Sequence, residues 1–138
     1  MKKLLVAVDG SMASIHAAQK GVELARGLGA EITLVYVSPP AVMPTDVPLA
    51  PVEELRHSQV ARGESSLKDV ANTLEFPPVK TMNLLGAPAE VIADVAMDDG
   101  FDLVIVGNKG RGAVSRVLLG SVADRLVHIC LKPVMVVR

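Results

Sequence analysis

The chain has 138 residues, half of them hydrophobic, with fourteen lysines and arginines against fifteen aspartates and glutamates and a net charge of −1. That size and apolar content predict one domain, residues 1–138, whose core needs no disulfide or structural metal. The balanced charge, the absence of a basic block and an aromatic content of 2% argue against a nucleic-acid partner. No apolar run approaches the roughly twenty residues of a bilayer span, which argues against a membrane protein.

Cys130 is the sole cysteine, so no disulfide framework or cysteine metal site forms within one chain, and its apolar neighbours predict a buried thiol. The segment Met1-Lys2-Lys3-Leu4-Leu5 begins like a signal peptide, but Asp9 ends the apolar run before an h-region forms. A soluble, cytoplasmic protein is the expectation.

Short apolar runs alternate with helix-like stretches along the chain. The first strand is read at Leu4 to Val8, and its helix carries Ile15, Ala18, Val22 and Ala25 at helical spacing until Gly27 and Gly29 stop it. The second strand, Ile32 to Val37, follows at once. Residues Ser38 to Pro51 hold five of the nine prolines and read as a long loop of the kind that covers a site. A helix then runs from Val52 to about Glu75, with Leu67, Val70, Ala71 and Leu74 on one face, Gly63 as a weak point and Pro77-Pro78 as its stop.

The third strand, Val79 to Leu85, mixes Lys80, Thr81 and Asn83 with apolar residues and belongs at a sheet edge. Pro88 suits the first turn of a helix presenting Val91, Ile92, Val95 and Ala96, closing near Gly100. The fourth strand is Leu103 to Val106. A last helix with Val122, Leu126 and Ile129 inward leads through Lys132-Pro133 to a strand at Val134 to Val137. Right-handed crossovers and two strongly apolar strands at the centre predict an open five-stranded parallel sheet, order 3-2-1-4-5, with helices on both faces, a Rossmann-like α/β fold.

In that order the topological switch point lies between the first and fourth strands, where ligands bind beyond the strand carboxyl ends. Asp9-Gly10-Ser11 and Gly107-Asn108-Lys109-Gly110 meet there. Gly107, Gly110 and Gly120 suit a phosphate cradle, since glycines admit a ligand to the backbone and a helix start offers unpaired N–H groups. They also suit ordinary loop glycines. Ser121-Val122-Ala123-Asp124 reads as a capping box serving its own helix, a role compatible with a hydroxyl turned to phosphate. Asp9 suits a turn residue, with Ser11 or Ser14 capping the next helix, and equally a carboxylate for a ribose hydroxyl or a phosphate-bound metal. Lys109, Arg111 and Arg116 are candidates for neutralising phosphate charge.

Other phosphate chemistries fit less well. A P-loop lacks its lysine, because Ala113 follows Gly112, and the dinucleotide fingerprint fails at Ser115. A receiver domain needs an aspartate where the third strand ends in Leu84-Leu85-Gly86. Asp98, Asp99 and Asp102 read as a solvated helix end, and His16, His57 and His128 lack metal-ligand spacing. Met12, Met82, Met97 and Met135 read as core filler.

Taken together, Gly107-x2-Gly110-x9-Gly120-Ser121, Asp9-Gly10-Ser11 and the terminal Lys132-Pro133-Val134-Met135-Val136-Val137 resemble the universal stress protein family along the whole chain. The full glycine pattern marks that family's ATP-binding branch. The resemblance implies that Gly107, Gly110, Gly120, Ser121 and the Val122 backbone face the phosphates and ribose, with Asp9 toward the ribose or metal and Val37 at the adenine edge. Asn108 and Ala123 stand where relatives often carry other small or hydroxylated residues, and the second departure takes away one phosphate hydrogen bond. The implied ligand is ATP, with Mg2+ on the phosphates, and the implied assembly is a homodimer pairing residues 134–138 antiparallel, for which an apolar edge strand is suited. Nucleotide binding in stress-response regulation, without efficient turnover, is the expected function. A slow ATPase or phosphoryl-transfer enzyme and a nucleotide-independent interaction module are the alternatives.

Overall fold

Alternation of apolar runs with amphipathic stretches produces strands that return through helices. A computed structural model describes residues 1–40, 49–75, 79–110 and 119–138. Among them, β1 (Lys3–Ala7), β2 (Glu31–Ser38), β3 (Val79–Leu85), β4 (Leu103–Gly107) and β5 (Val134–Val137) alternate with α1 (Met12–Leu28), α2 (Leu49–Thr73), α3 (Pro88–Asp98) and α4 (Ser121–Ile129). The strands form one parallel sheet in the order 3-2-1-4-5, as expected. The strands with the longest apolar runs are central and covered on both faces, whereas β3 exposes Lys80 and Thr81 at an edge.

Two apolar layers sandwich the sheet. On one face Leu4, Val6, Ile32, Leu34 and Ile105 pack against Ala17, Ala18 and Val22 of α1 and Leu67 and Val70 of α2. On the other, Leu5, Val35, Val104 and Val106 pack against Ile92 and Ala96 of α3 and Ala123 and Leu126 of α4. Because strand side chains alternate, each strand serves both layers, which fixes register against one-residue slips.

Several local expectations change. Helix α1 continues through Gly27 and stops at Gly29, which adopts φ 64° and caps the helix. Helix α2 starts at Leu49 rather than Val52, because Pro51 falls in the first turn, where the missing N–H has no helical partner to lose. It ends at Thr73, short of Glu75, and Pro77-Pro78 lie outside the described residues, as do most of the proline-rich loop and Arg111 with Arg116. Gly63 is not a weak point but a docking place, where Asn83 of β3 lies against the helix and its Nδ2 donates to the Val60 carbonyl at 2.9 Å. Met12 and Met97 are 66% and 46% exposed, so only Met82 and Met135 of that group pack on the core. Cys130 is half-buried.

At the amino ends of the central strands, the Asp102 carboxylate accepts from the backbone N–H of Lys2 at 2.8 Å and of Lys3 at 3.0 Å. The Lys3 ammonium donates to the Asp99 carbonyl and sits 4.6 Å from the centre of the Phe101 ring. These contacts join the start of β1 to the start of β4. No helix among the described residues is long and apolar enough to cross a membrane.

Candidate functional site

The crossover from β1 goes to one face of the sheet and that from β4 to the other, so the chain parts between the carboxyl ends of these adjacent strands. The opening is a cavity of about 680 Å³. Asp9, Val37, Gly107, Gly110, Gly120, Ser121 and Val122 all line it, as does Lys109, so most of the candidate residues come together. Gly10, Ser11 and Asn108 stand behind this wall and shape its turns.

The turn after β1 is built by hydrogen bonds. Asp9 Oδ1 accepts the Ser11 N–H at 2.8 Å, and Ser11 is the N-cap of α1, its Oγ accepting the Ser14 N–H at 3.2 Å. The Ser14 hydroxyl accepts the Asp9 N–H and donates to the Ser11 carbonyl. The Asp9 Oδ2 atom faces Gly110, where an added Cβ would lie 3.0 Å away. The carboxylate therefore holds its own turn and faces the glycine loop at once.

Each glycine does a different job. A Cβ on Gly107 would sit 2.8 Å from the backbone of Ala13, so this glycine lets β4 approach the first turn of α1. A Cβ on Gly120 would meet the backbone of Lys109 and Gly110 at 3.1 Å. Gly120 closes the neck of the loop, its N–H donating to the Asn108 carbonyl at 2.6 Å, while the Asn108 N–H donates to Val137 at 2.8 Å. Of the three, Gly110 alone has its side-chain direction toward the carboxylate across the crevice.

The capping-box expectation for Ser121 fails. Gly120 is the N-cap, because its carbonyl already accepts the Asp124 N–H at 2.9 Å, so Ser121 is the first helical residue and makes no capping bond. Its hydroxyl is left exposed on the cavity wall. The first-turn N–H groups of α4 have no partners within the helix, and they sit at the positive end of its dipole.

The far end of the cavity follows from unequal strand lengths. Val35 bonds toward β1, its carbonyl accepting the Val8 N–H at 2.9 Å, whereas the Ser38 carbonyl accepts from Gly86 on the β3 side. By this alternation Val37 turns its N–H and carbonyl toward β1, which has ended at Ala7. Among the described residues neither group makes a backbone bond there. One extended residue thus offers a donor and an acceptor to the cavity, beside an apolar floor of Val35, Pro88, Ile92 and Val106.

Lining residues without a sequence signal come from α2 and β2. Gln59 and Arg62 reach the cavity, Gln59 Nε2 donating to the Pro39 carbonyl at 2.9 Å. Tyr36 and Ser38 line it from β2, and the chain's lone tyrosine beside Val37 was the nearest thing to a signal for them. Among the described lining residues Lys109 and Arg62 stand with one carboxylate, Asp9, which favours an anionic occupant. No group of three or more acidic, histidine or cysteine side chains able to hold a metal ion occurs among the described residues.

The sequence profile of the universal stress protein family matches residues 1–138. The chain is 34% identical to Universal stress protein MJ0531 of Methanocaldococcus jannaschii over 142 aligned positions, covering 99% of this chain and 82% of that one. The universal stress protein UspA from Lactobacillus plantarum superposes with a TM-score of 0.87 at 28% identity, covering 99% of this chain and 97% of that structure. The fold is shared further with a universal stress protein from Archaeoglobus fulgidus in complex with dAMP, at a TM-score of 0.60 and 20% identity, over 100% of this chain and 98% of the other. With its five-stranded sheet and a profile match along its full length, the chain belongs to the universal stress protein family.

Proposed function

We propose that the chain is a stress-response regulatory protein that binds ATP in the crevice between β1 and β4. The observation that carries this reading is a single cavity joining the open N-terminus of α4 to the unpaired backbone of Val37. The α4 end suits phosphates, with Ser121 and Lys109 beside first-turn N–H groups that have no partner within the helix. The Val37 end suits adenine, whose edge presents a donor and an acceptor, with Val35, Pro88, Ile92 and Val106 against the ring. Asp9 lies between the two ends, toward the ribose. The dAMP complex of the Archaeoglobus fulgidus protein is in keeping with an adenine nucleotide, although that likeness carries the fold alone.

Mg2+ would come with the phosphates, and Asp9, the carboxylate among the described lining residues, would help to hold it, the ion neutralising phosphate charge. Gly10, Ser11 and Asn108 act as turn-formers behind the cradle, and Arg111 joins Lys109 in balancing charge. The protein acts in the cytoplasm, and it pairs as a homodimer through residues 134–138, since β5 is an edge strand with half-buried Val134 and Val136. Binding rather than turnover is the function.

Denaturing freshly purified protein and identifying any released nucleotide, then following added ATP over time, tests this reading. Intact ATP is expected. Steady conversion to ADP would make the chain an enzyme, and failure to hold or bind nucleotide would make the glycine loop a purely structural feature.

A further inference from the structure

Strand side chains alternate, so the cavity's lining residues divide between the two faces of the sheet. Ala7, Val35, Val37 and Val106 project toward α3 and α4, on the side of the Gly120 helix start. Val8 and Tyr36 project toward α1 and α2, and Ser38, two residues beyond Tyr36, shares that direction. The cavity therefore folds over the ends of β1 and β2 into a second lobe, walled by Tyr36, Ser38, Gln59 and Arg62.

This lobe is chemically unlike the first. Tyr36 is 7% exposed and Ser38 6% exposed, and among the described residues neither hydroxyl makes a hydrogen bond. Neither is sealed in, because among the described residues no fully buried side-chain polar atom is left unsatisfied. Two hydroxyls on nearly buried residues therefore open onto the cavity they line, where a ligand or water meets them. Arg62 stands on the same wall and makes no ion pair among the described residues, while Gln59 one turn earlier is anchored to Pro39. No carboxylate among the described residues lines this lobe, since Asp9 is turned to Gly110.

We propose that the lobe between β2 and α2 is a second binding subsite for a small oxyanion, the carboxylate or phosphate group of an effector. Arg62 supplies the charge and a planar fork of donors, and the Tyr36 and Ser38 hydroxyls supply two more bonds from the strand. Gln59 fixes the distance between wall and strand by holding the β2 exit. The subsite does not depend on the nucleotide reading, because the groups that form it are separate from the glycine loop and from α4.

Amide NMR titration of the full chain, at constant ionic strength, with inorganic phosphate in one series and malonate in another tests the subsite. Saturable shifts centred on Tyr36, Ser38, Gln59 and Arg62 are expected, with affinity falling by about tenfold in Arg62→Gln. Tyr36→Phe, which keeps the ring in the core, should weaken binding by a smaller factor. A response to phosphate alone assigns a phosphate ester, and one to malonate alone a carboxylate. Shifts confined to Gly107–Gly110 and Ser121, binding unchanged in Arg62→Gln, or no saturable response to either probe would each overturn the proposal. The first of those outcomes leaves the nucleotide reading standing, so failures of the two are told apart.

Discussion

At the scale of single residues, the glycine pattern separates into parts that need different tests. Gly107 is buried against the backbone of Ala13, which cannot yield as a flexible side chain would. Gly107→Ala is therefore expected to destabilise the fold by about 1–3 kcal/mol, read as a lower urea midpoint. Among the described residues an added Cβ at Gly110 meets only the Asp9 carboxylate, and Gly110 lines the cavity. Gly110→Val should leave the urea midpoint close to the parent's and weaken ATP by about tenfold to a hundredfold in calorimetry. Unchanged affinity in that variant would remove Gly110 from the cradle. The spacing of these glycines was legible as a site because it coincides with a strand-to-helix turn. What each glycine is for was not, since Ala13 and the neck bond to Asn108 enter only when distant elements pack.

Among elements, the apolar runs were legible almost to the residue because a strand buried on both faces tolerates little else at Leu4 to Ala7 or Leu103 to Val106. Helix α2 was less so. Its start is hidden by Pro51, and its contribution to the cavity rests on Gln59 and Arg62, which sequence alone cannot tell from solvated helix residues. Strand β5 carries the element-level prediction. The carbonyls of Pro133 and Val137 accept from β4 at Val104 and Asn108, so the alternate residues Val134 and Val136 turn their N–H and carbonyl groups outward. Val136→Pro removes an outward donor and no bond to β4. If two copies pair through this edge, the variant should run as a monomer in sedimentation with its circular dichroism kept. A parent that is already monomeric, or a variant that remains dimeric, places the interface elsewhere or removes it.

For the molecule as a whole, the sheet is fastened at the end opposite the site. Asp102 precedes β4, whereas the crevice follows it, and its carboxylate ties the start of β1 to that of β4. The N–H groups of Lys2 and then Lys3 hold its pKa below the ordinary carboxylate value, against a weaker opposing effect of desolvation. A carboxylate depressed on folding binds its proton at higher pH in the unfolded chain. Its contribution to stability is thus fully present above the ordinary carboxylate pKa and is lost as pH falls through the depressed value. Asp102→Asn keeps one acceptor oxygen but gives up the charge. The gap in urea midpoint between parent and variant should be constant near neutral pH and close as the solution is acidified through the carboxylate range. ATP affinity at neutral pH should match the parent's, because the length of β4 separates the fastening from the crevice. Parallel stability profiles would show that the charge on Asp102 does no fastening, and a fall in ATP affinity would show that the two ends of the central strands act together.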